Sequence, residues 1–266
     1  MLEVKNLEVS VKKGKETNKI IDNISFNVEE NKCLGILGES GSGKSITCKA
    51  ILGLLDKNFE IKGEAVFKER DILALSDNEK RKLRGNKISM IVQNPMTAFN
   101  PLYTVGNQVI ETFRENMKIS KGEAKVLAIK SFEKMNLNNP KEVLKKYPHE
   151  LSGGMLQRII IGITIFLEPD LIIADEPTTA IDSLNQREVI KEFLKMKEEL
   201  NTSMIFITHD LSVLSEVADN IIVMNNGKII EYGTKEEIIL NPQNEHTKFL
   251  VDTRLKLLKK FKEIVS

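Results

Sequence analysis

Gly38-Glu39-Ser40-Gly41-Ser42-Gly43-Lys44-Ser45 matches the pattern G-x-x-x-x-G-K-[ST]. Glycines at such spacing let backbone N–H groups close around phosphate oxygens, and a helix start behind them adds a positive field. In that arrangement Lys44 neutralises the β- and γ-phosphates of a nucleoside triphosphate, and Ser45 is placed to ligate Mg²⁺. A second chemical group, Asp175-Glu176, closes the apolar run Leu171–Ala174. By themselves two acids after a strand suit a helix start. Behind a phosphate loop they suit phosphoryl transfer to water, with Asp175 holding Mg²⁺ through water and Glu176 orienting or deprotonating the attacking water. The run Leu151-Ser152-Gly153-Gly154-Met155-Leu156-Gln157 reads either as a second anion-binding helix start or as an ordinary Ser cap with a Gly turn. His209 follows the apolar run Met204–Thr208, and a lone His at a strand end reads as structural, its nitrogens satisfied locally.

The elements that position these residues can be read from the pattern. Residues 2–11 and 20–28 alternate apolar and polar, as antiparallel strands with one wet face do, with a polar turn over Lys12–Lys19. Cys33–Leu37 is a continuous apolar run of the kind buried in a parallel sheet, and a helix is expected from Ser45 to about Leu55. A strand is expected over 61–70. Ser76 with Glu79 caps a charged helix to Arg84. Ile88–Val92 reads as a buried strand. Strand signals vanish from about Thr104 to Leu167, so this stretch reads as a helical insert, bounded at about 94–167. Strands return at Leu171–Ala174, Met204–Thr208 and Ile221–Met224. A helix is expected over Arg187–Leu200, with Val189, Ile190, Phe193, Leu194 and Leu200 inward. Asn226-Gly227 marks a hairpin. Strands alternating with helices imply an α/β fold with a mostly parallel sheet.

Composition limits the partners. Thirty-nine basic and 38 acidic residues leave a net charge of +1, so no nucleic-acid footprint exists and no nucleic-acid partner is expected. Trp is absent and aromatics are 5%, which disfavours an aromatic base-stacking platform. The longest apolar run, Ile159–Leu167, is about half of the ~18 residues a membrane span needs. Cys33 and Cys48 cannot form a disulfide framework, and the three histidines and two cysteines lack any i, i+4 or C-x-x-C spacing. A transition-metal site on this chain is therefore not expected, and a reducing compartment is.

Taken together, the phosphate loop, LSGGM at 151–155, IADEP at 173–177 and His209 after MIFIT follow the order and spacing of the ATP-binding-cassette (ABC) ATPases. The chain resembles that family over about residues 1–250, leaving 251–266 as a basic tail. The resemblance implies a P-loop NTPase, RecA-like core with an antiparallel β layer and an inserted helical subdomain, with ATP and Mg²⁺ as cofactors. It assigns Gln93 to the Q-loop glutamine that senses Mg²⁺ and the γ-phosphate. Ser152, Gly153 and Gly154 become the signature that touches ATP on the opposite subunit. Ala180-Ile181-Asp182 becomes the D-loop along a dimer interface, and His209 the switch histidine at the γ-phosphate. The active unit it implies is a head-to-tail dimer that closes on ATP and opens on hydrolysis. Val11 stands where the family commonly has an adenine-stacking aromatic, so packing on Val11 and Ile21 is expected instead. Leu156 and Ile181 stand where Arg and Leu are common.

Finer likeness lies in Gln93–Pro101, Tyr147-Pro148-His149-Glu150, Asp175–Thr179 and Asn241-Pro242 with His246-Thr247. These runs are similar to importers for peptides and nickel. Ser45-Ile46-Thr47-Cys48-Lys49 and the basic end point to nickel or metal–chelate import, with oligopeptides as the alternative and a soluble ABC nucleotide switch as a distant one. That resemblance implies a second ABC ATPase subunit, two transmembrane permease subunits and an extracytoplasmic substrate-binding protein. It places the chain peripherally on the cytoplasmic face of the cell membrane. The tail Lys248–Val265 is amphipathic and basic, suited to a packed helix or to a membrane surface.

Overall fold

The computed structural model describes residues 1–14 and 16–253. They form two compact units, Met1–Lys80 with the chain from Ser203, and Arg81–Thr202.

The first unit opens with an antiparallel ribbon of β1 (Leu2–Lys13) and β2 (Glu16–Val28). Leu2, Val4, Leu7 and Val9 are buried on β1, and Ile24, Phe26 and Val28 on β2, as the alternation requires. The expected polar turn over Lys12–Lys19 is mostly strand: pairing continues to Lys12 opposite Thr17 and Lys13 opposite Glu16. Polar residues hold a solvated ribbon, here by a cross-strand bond from Lys19 Nζ to Glu8 at 3.2 Å and a second along β2 to Asp22 at 2.8 Å.

After β3 (Cys33–Leu37) comes α1 (Lys44–Ile51), which ends earlier than expected. Gly53 at φ +61 donates its N–H to Ala50 O at 3.0 Å, and Leu54 N–H donates to Lys49 O at 2.8 Å. These are the two bonds of a Schellman stop. The single strand expected over 61–70 is instead β4 (Phe59–Phe67) and β5 (Arg70–Asp71), folded at Lys68-Glu69 with φ of 45° and 71°. No Gly or Asn announces that turn, so the pattern could not show it. The layer order is β2-β1-β4-β5. Helix α2 (Asp77–Leu83) has the expected reciprocal cap: Ser76 N–H donates to Glu79 Oε2 at 3.0 Å, and Glu79 N–H to Ser76 Oγ at 3.4 Å.

In the second unit β6 (Ile88–Ile91) is followed by α3 (Val105–Met117), α4 (Lys121–Lys134), α5 (Pro140–Val143) and α6 (Gly153–Leu167). Then β7 (Leu171–Asp175) pairs in parallel with β6, Ile88 opposite Leu171 and Ile91 opposite Ala174. Helix α7 (Ser183–Glu199) starts before the expected Arg187 because Asp182 caps it. Leu200, expected inward, is the exposed C-cap.

The first unit resumes with β8 (Ser203–Ile207), α8 (Leu211–Val217), β9 (Asn220–Asn225), β10 (Lys228–Thr234), α9 (Lys235–Leu240) and a helical stretch at 245–253. Its strands run β10-β9-β3-β8, with β3 parallel to β8 and β9 and β10 antiparallel at the edge. Strands β3, β7 and β8 are buried at every residue, as strands covered on both faces must be. The amphipathic pattern read over Lys248–Val265 lies outside the described residues from 254 on.

Candidate functional site

In the first unit, Gly38–Gly43 form the bend from β3 into α1, and Lys44 is the first residue of that helix. Lys44 is only 8% exposed, and its ammonium donates to Gly38 O and Glu39 O, both at 2.8 Å, and to Ser42 Oγ at 3.4 Å. The loop thus curls around its own cation. Glu39, Ser40 and Gly41 are exposed along it, Ser42 is buried, and Ser45 is half-buried in the first turn. Two glycines are sterically required. A β-carbon on Gly38 would stand 2.4 Å from Met224 O, and one on Gly43, at φ +104, would stand 2.5 Å from Ile21 Cδ1.

A neighbour that sequence reasoning did not connect with this loop is the tip of the β9–β10 hairpin. Gly227 N–H donates to Ser42 O at 3.0 Å, and Asp22 N–H donates to Gly227 O at 2.9 Å. Asn226 and Gly227 have φ of 47° and 75°, the geometry Asn-Gly favours. The hairpin signal was legible, but its contact with the loop was not. Ile21 beneath Gly43 has no exposed surface and Val11 only 7%, so the expected packing of adenine on these two residues is corrected: both are committed to the core. His209 is exposed just past β8. Its neighbours are pinned, Asp210 N–H to Thr208 Oγ1 at 3.1 Å and Ser212 N–H to Asp210 Oδ1 at 2.8 Å.

In the second unit the parallel register puts the ends of β6 and β7 side by side, so Gln93 and Asp175-Glu176 leave the same edge. Gln93 is exposed, Asp175 is buried, and Glu176 is 9% exposed. Glu176 has φ +49, a left-handed conformation that costs a non-glycine residue about 1–3 kcal/mol. Thr179 holds it there, donating Oγ1 to Glu176 Oε2 at 3.0 Å and its N–H to Glu176 O at 3.3 Å.

Ser152 caps α6, accepting from Met155 N–H at 3.2 Å, and Ser152 and Gly153 are exposed. Glu150 fixes the approach by accepting from Tyr147 N–H at 2.7 Å. Gly154 abuts the Ala180 backbone, where a β-carbon would lie 2.7 Å from the carbonyl oxygen. Gln157, one turn on, is buried and donates Nε2 to Val92 O at 3.4 Å, next to Gln93. Asp182 caps α7, with Asn185 N–H on Oδ1 at 3.2 Å and Asn185 Nδ2 on Oδ2 at 2.7 Å. Those bonds from Asn185 hold the Asp182 carboxyl below the usual carboxylate range. The unit therefore brings Gln93, the signature, Glu176 and the D-loop into one neighbourhood. Gln157 and Asn185 were not singled out as site residues, though Asp-x-x-Asn is a readable capping signal.

A glycine loop that wraps its own lysine at a helix start serves to hold the phosphates of a nucleoside triphosphate, and on this α/β scaffold it defines a P-loop NTPase. Comparison with known proteins narrows the class. The ABC transporter family description matches residues 21–179. The metal-staphylopine import system ATP-binding protein CntD of Staphylococcus aureus (strain Mu50 / ATCC 700699) is 42% identical over 92% of this chain and 91% of its own length. The dipeptide transport ATP-binding protein DppD of Lactococcus lactis subsp. cremoris is 43% identical over 95% of this chain and 73% of its own. Among solved structures, a dimeric post-hydrolysis ATP-binding cassette bound to ADP and Pi matches with a TM-score of 0.80 and 27% identity, covering 88% of this chain and 99% of that one. The chain belongs to the ABC transporter family, and it is an ATPase.

Proposed function

We propose that the chain is the motor subunit of an importer, peripheral to the cytoplasmic face of the cell membrane. It works with a second ATPase subunit, two transmembrane permease subunits and an extracytoplasmic substrate-binding protein. The observation that carries this reading is the start of α6. Ser152 and Gly153 are exposed there, and the Ser152 oxygen is already occupied by Met155 N–H, which leaves its proton for an outside acceptor. That suits a γ-phosphate held by the opposite subunit. The phosphate loop Gly38–Ser45 holds this subunit's own ATP, Glu176 handles the water, His209 meets the γ-phosphate and Asp182 lies at the dimer face.

Mg²⁺ fits the chemistry of each proposed ligand, the Ser45 hydroxyl of the first unit and the Gln93 amide oxygen and Asp175 carboxylate of the second, since it prefers hard oxygen ligands. When bound it would neutralise phosphate charge.

No helix among the described residues is long and apolar enough to cross a membrane. The apolar surface beside the Q-loop is Met96, Leu102 and Tyr103, exposed by 43%, 78% and 55%, whereas Phe99 is half-buried. A permease segment covering that patch is the contact proposed here.

For cargo we favour nickel, cobalt or a metal chelate, supported by the 42% identity to CntD and by the run Ser45–Lys49. Peptide import is the second reading, supported by the 43% identity to DppD. The test is ATP hydrolysis by the reconstituted transporter. Binding protein loaded with metal or metal chelate is expected to stimulate it. Stimulation by peptide-loaded binding protein alone would move the cargo to peptides. An unchanged transport rate in Leu102→Asp would remove the permease contact.

A further inference from the structure

Arg158, one turn into α6, reaches two elements of the second unit at once. Its Nη1 donates to Met135 O at 3.1 Å and Asn136 O at 3.2 Å, the carbonyls that close α4, and to Asn185 Oδ1 at 3.2 Å on α7. A guanidinium at a helix C-terminus is held by unpaired carbonyls and by the helix dipole. The amide of Asn185 is polarised by its neighbours, its oxygen turned to the cation and its NH₂ to the Asp182 carboxylate at 2.7 Å. With the Asn185 N–H on the other oxygen, both oxygens of Asp182 are held by one residue, and that residue is held by Arg158.

The other end of the connection is stiff. A β-carbon on Gly162 of α6 would stand 2.8 Å from the Ser131 carbonyl oxygen of α4, so these helices meet backbone to backbone and leave no slack between them. Beside the guanidinium lies a cavity of about 200 Å³, lined among others by Arg158, Asn185, Glu188 and Glu192. Those carboxylates are engaged elsewhere, Glu188 with Lys191 at 2.8 Å and Glu192 with Lys134 at 2.9 Å and Lys195 at 3.2 Å, so the guanidinium is left to the carbonyls and to Asn185.

We infer that Arg158 and Asn185 are positioning residues that pass the placement of the α4–α6 body to the Asp182 carboxylate and so set the rate of hydrolysis. This rests on the reading of Asp182 as a dimer-face residue. The bonds of both side chains run to α4 and to the Asp182 carboxylate, so the relay is expected to act on turnover rather than on ATP affinity.

The test uses the full chain with its ATPase partner and measures kcat and KM for ATP in Arg158→Gln, Asn185→Leu, the double variant and Asp182→Ala. Each single change is expected to lower kcat about tenfold with KM within about twofold, and the double variant to fall no further than the worse single one. Arg158→Lys keeps the charge but loses the planar fork, so an intermediate kcat is expected. It also stands in if Arg158→Gln does not fold, which thermal unfolding will show. Additive losses, or a loss confined to KM, would overturn the relay. A lowered kcat in Asp182→Ala with wild-type kcat in Asn185→Leu would overturn the relay alone. Wild-type kcat in Asp182→Ala would overturn the dimer-face reading together with it.

Discussion

Gly154 and Ala180 pack so closely that a β-carbon on the glycine would stand 2.7 Å from the alanine carbonyl oxygen. Gly154, in the proposed signature, is therefore required by the Ala180 backbone of the proposed D-loop, whatever contact it makes with phosphate. One contact ties two segments proposed to act on different nucleotides.

Gly154→Ala should push the D-loop backbone away. The obstacle is main chain, which cannot rotate aside as a side chain can. Hydrolysis is expected to fall by about tenfold or more while ATP binding stays within about twofold. Parallel measurements of phosphate release and nucleotide affinity check this. Loss of binding equal to the loss of turnover would show that the glycine serves the fold only.

Lys44 and Glu176 should fail differently. Lys44→Ala removes the cation that the loop carbonyls cradle at 2.8 Å, so ATP affinity is expected to drop about tenfold to a hundredfold. Glu176→Gln should keep binding but remove the proposed base. Phosphate release should fall at least about a hundredfold and an ATP-bound dimer should accumulate on size-exclusion chromatography. Equal turnover in Glu176→Gln and wild type would end the assignment.

Gly227→Ala should damage the phosphate loop from outside. Its β-carbon would meet Ile20 O at 2.0 Å, and φ is +75, so strain and overlap combine to a loss of about 2–4 kcal/mol. The loop should loosen through the lost Gly227–Ser42 bond, so nucleotide affinity should decline along with the melting temperature. A stable variant with normal affinity would show that the hairpin tip is a bystander.

Asp182 carries a pH signature. Asn185 side-chain and backbone bonds lower its pKa, so its cap on α7 contributes stability above the unfolded carboxylate pKa and loses it as pH falls through the lower folded value. The group is exposed, and the effect is correspondingly small. Carboxyl NMR titration should place Asp182 below an ordinary aspartate, and Asn185→Ala should bring it back up. An unmoved titration would mean that Asn185 does not orient the carboxylate.

The buried strands were readable because continuous apolar runs have few other uses: Cys33–Leu37 and Leu171–Asp175 are strands buried throughout. The cap at Ser76 was readable for the same local reason. What escaped was set by distance along the chain. Nothing near Lys68-Glu69 marks a turn, because partner strands impose it. Ile21 reads as an apolar residue in a strand, and only the fold shows that it underlies Gly43 and has no face left for a base. Gly53 was a readable stop for α1 that the apolar run to Leu55 obscured. At the proposed site, the candidate chemical residues stand out by type and spacing. Their supports are a different case: Asn226-Gly227 reads as a hairpin and Asp182-x-x-Asn185 as a cap, but nothing local ties Gly227 to the phosphate loop, Asn185 to Arg158 or Gln157 to Val92.

Glu176 sits in a backbone conformation that glycine would adopt without strain, at φ +49. The chain's proposed base is thus also one of its points of conformational debt. Selection for heat resistance alone would drift toward replacing it, trading turnover for a steadier fold. Any campaign to toughen this protein should therefore screen for activity at every round and keep residue 176 out of its libraries.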